Sequence, residues 1–101
     1  MTQNGKQAIS ARRVVQPHKT QLLNRLKRIE GQVRGIQRMI ESDRYCVDIL
    51  IQVAAIQSAI NQVSLALMED HTRHCVSRAI KENQEDEVIP ELMDVIRRLL
   101  K

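Results

Sequence analysis

The chain has 101 residues, 43% of them hydrophobic, with Tyr45 as its single aromatic residue and only three glycines and two prolines. That is one small domain, too poor in turn formers for an all-β fold and dependent on Ile, Leu, Val, Met and Ala for packing. The formal net charge of +4 is unevenly spread: residues 1–44 carry ten Lys/Arg against Glu30, Glu41 and Asp43, leaving the remainder negative. Charge segregated in this way implies a polyanion partner for the first half.

Residues 1–16 are polar and aperiodic and include Lys6, Arg12 and Arg13, so they are expected to form a mobile basic arm before a single domain over 17–101. Pro17 suits a first helical turn. Leu22, Leu23, Leu26, Ile29, Val33, Ile36 and Ile40 then recur at three-to-four spacing, which predicts an amphipathic helix. Gly31 and Gly35 interrupt its propensity, and a closely approaching backbone would account for them.

Ser42 and Asp43 read as N-caps of a second helix. Its apolar stripe runs through Cys46, Ile49, Leu50, Val53, Ile56, Ile60, Val63, Leu67, His71 and Cys75. Val47, Ile51, Ala54, Ala55 and Ala59 widen the apolar surface, so this helix must be buried on more than one side. Asn83 to Glu87 reads as a polar break. A short third helix follows, with Pro90 near its start and Arg97, Arg98 and Lys101 at its end. The expected fold is all-α: three helices, with a long antiparallel hairpin and a short C-terminal helix.

His71 and Cys75 are four apart, hence one turn apart on one helical face. Cys46 lies 25 residues before His71, roughly 37 Å away along an unbroken helix at about 1.5 Å per residue. One chain cannot close such a site. An antiparallel second copy, related by a two-fold axis near Ala59 and Ile60, would set Cys46 opposite the partner's pair at both ends of a dimer. Each of these residues alone is more often structural than a ligand. Together, two thiolates and an imidazole favour Cu(I); Zn(II) could recruit His74 or water, and Ni(II) or Co(II) would want more nitrogen and oxygen donors.

Other classes fare worse. The two cysteines, with no export signal, read as reduced thiols of a cytoplasmic protein, and no stretch is expected to approach a membrane span. No oxyanion loop, phosphate cradle or paired carboxylates accompany the Cys–His pair, so no enzyme is expected. Lys19, Arg25, Lys27, Arg28, Arg34 and Arg38 lie on the first helix, and a duplex read through phosphate contacts and shape fits them better than base stacking.

Residues Asn24–Ile36 (NRLKRIEGQVRGI) resemble the first-helix signature of the CsoR/RcnR group of bacterial metal-sensing repressors. The run Tyr45-Cys46-Val47-Asp48-Ile49-Leu50, followed by His71 and Cys75, resembles the copper-sensing branch. The resemblance covers the chain from His18 onward. It implies a helical dimer pairing into a tetramer, operator DNA bound without metal, and release on Cu(I) binding to derepress copper efflux or sequestration genes. It further implies Cys46, His71 and Cys75 as ligands, Tyr45 and Glu91 behind them with Glu91 holding the His71 ring, and Arg25 against DNA. The chain departs at Asn61 and Gln62, where several relatives carry a basic residue. The alternatives are a cytosolic copper buffer or chaperone, a nickel or cobalt sensor using His18 or His74, and a thiol redox sensor using Cys46 and Cys75.

Overall fold

A computed structural model describes residues 13–101. Four helical stretches follow one another: α1 (Lys19–Glu41), α2 (Cys46–Asp70), α3 (Ser77–Lys81) and α4 (Glu85–Leu99). A π-helical segment, His71–Val76, joins α2 to α3 without a break, so one continuous rod runs over Cys46–Lys81. α1 and this rod form the expected antiparallel hairpin, and α4 folds back on the rod's far end. The molecule measures 56 × 27 × 21 Å.

The reversals at both ends of the rod share one device. After α1, Arg44 N–H donates to the Met39 carbonyl at 2.9 Å and Asp43 N–H to Ile40 at 3.2 Å. After α3, Gln84 N–H donates to Ala79 at 2.7 Å and Asn83 N–H to Ile80 at 3.1 Å. These paired bonds close the helix ends in Schellman fashion, with a left-handed residue at each turn: Asp43 at φ 56° and Asn83 at φ 61°. Asn and Asp tolerate that conformation better than most side chains.

This corrects the reading of Ser42 and Asp43 as N-caps. Both terminate α1; Ser42 Oγ donates to the Arg38 carbonyl at 2.7 Å, and Tyr45 takes the N-cap position of α2. Pro17 likewise precedes α1, whose N-cap is His18. α4 begins earlier than expected. Glu85, Asp86 and Glu87 are not a polar break but its first turn, where acids suit the positive helix end, and Pro90 therefore falls inside the helix. Gly31 and Gly35 meet nothing within 4 Å of where a Cβ would sit, so among the described residues no other backbone segment approaches them. Of the expected arm, residues 1–12 lie outside the described residues.

The hairpin is held by heptad-spaced residues. Leu22 and Ile29 of α1 pack against Ile56 and Val63 of α2, with Ile36, Ala59 and Ala66 around them. A second cluster of Val76, Ala79 and Val88, flanked by Leu92, fastens α4 to the π segment and α3. Neither cluster uses the rest of the apolar stripe. Leu50, Ile60 and Leu67 of that stripe stay exposed, Leu50 at 63%, as do Ile51 and Leu65 beside it.

Cys46–Lys81 is long and apolar enough to cross a membrane by length and composition alone, which corrects the expectation that no stretch approaches a span. The reason is the same unburied stripe, because a helix that is apolar nearly all round needs more cover than one hairpin partner provides.

Candidate metal centre and nucleic-acid interface

The π segment carries half of the expected metal site. His71 is its first residue and Cys75 its fifth, and both are half-buried. A π turn is wider than an α turn and typically marks a local functional feature. Both side chains line an open groove of about 630 Å³, together with Glu82, Glu87 and Glu91. Arg13 and Val14, just before α1, border the same groove. Glu91, on α4, is half-buried there, on the same groove as the histidine it is expected to hold.

Cys46 is elsewhere. It is the first residue of α2 and exposed, beside Tyr45 at 69% exposure. His71 follows Cys46 by 25 positions along α2, so the two are roughly 37 Å apart at about 1.5 Å per residue. Among the described residues, no three His, Cys, Asp or Glu side chains of one chain converge as a metal cluster. The structure places His71, Cys75 and Glu91 along one groove without clustering them, and keeps Cys46 and Tyr45 at the opposite end of α2.

The donor set itself fits a soft cation. Two sulfur donors and one imidazole nitrogen suit Cu(I) at low coordination number, whereas structural Zn(II) usually takes four ligands. His74 is exposed near Cys75 and lines a smaller adjoining groove with His71. His18, considered above as a nitrogen donor, is occupied instead: its Nδ1–H donates to both oxygens of Asp70, at 3.1 and 3.0 Å.

The cations of α1 sort by angle. Lys19, Arg25, Lys27, Arg28, Arg34 and Arg38 are all exposed, and among the described residues none is paired with a carboxylate. By contrast, Arg44, Arg73 and Arg98 each pair with an acid four residues away. At about 100° per residue, Lys27, Arg34 and Arg38 form one stripe opposite the buried Leu22 and Ile29. Arg25 sits on the flank nearer α2, in a groove shared with Glu69, Asp70 and Arg73. No stripe through Lys27 was separated from the sequence, although helical spacing gives it; the buried Asp70 carried no comparable signal.

The molecule thus combines a helical hairpin, thiol and imidazole groups at opposite ends of one long helix, and an exposed basic first helix. Comparison with known proteins gives the family. Residues 18–98 match the family described as metal-sensitive transcriptional repressor. The chain is 58% identical over 83 residues to the copper-sensing transcriptional repressor CsoR of Bacillus subtilis strain 168, covering 82% of each chain. Its structure resembles the copper-sensing repressor CsoR with Cu(I) from Geobacillus thermodenitrificans, at a TM-score of 0.78 and 46% identity, over 100% of this chain and 95% of the other. It also resembles the nickel-responsive transcriptional regulator InrS, at a TM-score of 0.71 and 36% identity, over 86% of this chain and 98% of the other. The chain belongs to the metal-sensitive transcriptional repressor family, a family of regulators and not of enzymes.

Proposed function

We propose that the chain is a cytoplasmic Cu(I)-responsive repressor that holds operator DNA when metal-free and releases it on binding Cu(I), so that copper efflux or sequestration genes are expressed. One observation carries this reading: a Cys at one end of a 25-residue helix and a His/Cys pair just beyond its other end, on one face. A second copy packed antiparallel on the exposed stripe would close two Cys–His–Cys sites. It would also cover Leu50, Ile60 and Leu67, which the single chain leaves exposed. The named copper sensors that this chain resembles support the same metal.

Cu(I) would supply soft-acid affinity for the two thiolates and the imidazole. Cys46 of one copy and the partner's pair would hold it, while Tyr45 and Glu91 stand behind them. Glu91 would accept a hydrogen bond from the free ring nitrogen of His71 and fix its tautomer and orientation. Lys19, Arg25, Arg28, Arg34 and Arg38 would meet phosphates of the duplex, in a dimer or the tetramer that such dimers form.

The test is a gel shift with duplexes selected from a random pool by the metal-free protein. Cu(I), delivered under chelator competition, is expected to release them, whereas Zn(II) and Ni(II) at equal free concentration leave them bound. Metal-independent binding, or none, would favour a copper buffer instead.

A further inference from the structure

Among the described residues, Asp70 is the one buried charged residue, at 7% exposure. A buried carboxylate without partners is costly, so what satisfies it constrains the fold. His18 does so, from 52 residues away in sequence, with Nδ1 within 3.1 Å of both oxygens. A carboxylate only accepts, so Nδ1 carries the hydrogen. Three other ion pairs, Arg44–Asp48, Arg73–Glu69 and Arg98–Asp94, stay within one helical turn and join nothing distant.

The two ends of this bond occupy telling positions. His18 is the N-cap of α1, and its carbonyl accepts the Leu22 N–H at 3.0 Å. Asp70 is the last residue of α2, next to His71 at the junction with the π segment. Arg25 follows His18 by seven residues, two turns along the same face, and lines the groove that also contains His18 and Asp70.

We propose that His18 and Asp70 are a positioning pair that couples the metal site to the basic helix. The inference rests on the function proposed above. Fixing the His71 ring restrains the backbone at the α-to-π junction, the kind of local irregularity often found at functional sites. Asp70 moves with that junction. Its burial makes losing His18 costly, so the start of α1 follows, and Arg25 with it. The carboxylate and imidazole thus give the two sites one contiguous physical link, the kind of network through which coupling is carried.

The test measures duplex affinity of metal-free and Cu(I)-loaded protein for wild type, His18→Ala and His18→Asn, with Cu(I) affinity and thermal stability of each. His18→Ala is expected to keep Cu(I) affinity within about twofold while the ratio of the two DNA affinities shrinks by about tenfold, within the usual range of allosteric coupling. His18→Asn, whose amide nitrogen stands where Nδ1 stood, restores most of that ratio. A stabilising role alone would lower the melting temperature and shift both DNA affinities together; an unchanged ratio overturns the proposal. So does a large loss of Cu(I) affinity, which would make His18 a ligand. Amide exchange at Gln21 and Leu22 of the wild type gives a reading free of substitution: Cu(I) is expected to change their protection, and unchanged protection also overturns it. A wild type whose DNA affinity ignores Cu(I) would refute the underlying function and this coupling with it. A responsive wild type with an equally responsive His18→Ala refutes the coupling alone.

Discussion

Ile60→Glu isolates the dimer from the hairpin. Ile60 lies on the Cys46–His71 face near the centre of α2, remains 46% exposed, and belongs to neither buried cluster. A two-fold axis at that point would bring both copies of the residue close together. Fully burying an isoleucine stabilises by about 1.5–3 kcal/mol, so covering the exposed half contributes about 1 kcal/mol per copy and about 2 per dimer. Placing a carboxylate there instead costs several kcal/mol more per desolvated ion. A total of at least about 4 kcal/mol weakens dimerisation by roughly three orders of magnitude, at about 1.4 kcal/mol per decade. Sedimentation velocity at micromolar concentration should show a helical monomer with normal circular dichroism and no tight Cu(I) binding. A variant that stays dimeric and binds Cu(I) like wild type would refute the placement of the axis and the role of the exposed stripe.

Other substitutions probe separate parts of the account. Glu91→Ala should lower Cu(I) affinity by no more than about tenfold, the mild end for a residue supporting a ligand. It should nevertheless reduce the copper-induced loss of DNA affinity, as seen by anisotropy titration with and without metal. Replacing Arg25 and Arg28 together with Ala should weaken binding to related and unrelated duplexes alike. If each contacts one phosphate, the slope of log affinity against log salt becomes shallower by about 1.8 per engaged chain; an unchanged slope would remove both from the interface. Asp43→Gly relieves a left-handed aspartate at φ 56°. It should raise stability by about 0.5–1 kcal/mol in urea denaturation at fixed protein concentration, the relief of strain outweighing the extra freedom of the unfolded chain.

Long-range periodicity made much of this architecture legible. Leu22, Ile29, Ile56 and Val63 sit on the expected stripes and form the hairpin core. The separation of Cys46 from His71 follows from an unbroken helix alone, and the structure supplies one. Local signals failed where one residue type serves two purposes. Ser42 and Asp43 suit either end of a helix, and the reversal that follows α1 decided which. Glu85, Asp86 and Glu87 read as a break because acids favour both loops and first turns. Two features left no sequence pattern at all. The π segment depends on hydrogen-bond register, which side-chain spacing does not encode. The His18–Asp70 bond joins residues 52 apart with no periodicity to reveal it.

The central claim is that each metal site is shared between two copies of the chain. Heterodimers of Cys46→Ala and Cys75→Ala test it directly, because neither parent homodimer retains a complete Cys–His–Cys set. In the antiparallel arrangement, the Cys75→Ala chain lends its Cys46 to the intact His71/Cys75 pair of its partner, while the other end loses both cysteines. Titration of purified heterodimers with Cu(I) under chelator competition should therefore show one tight site per heterodimer, and none in either parent. Heterodimers with no tight site would contradict a metal centre built across the two chains.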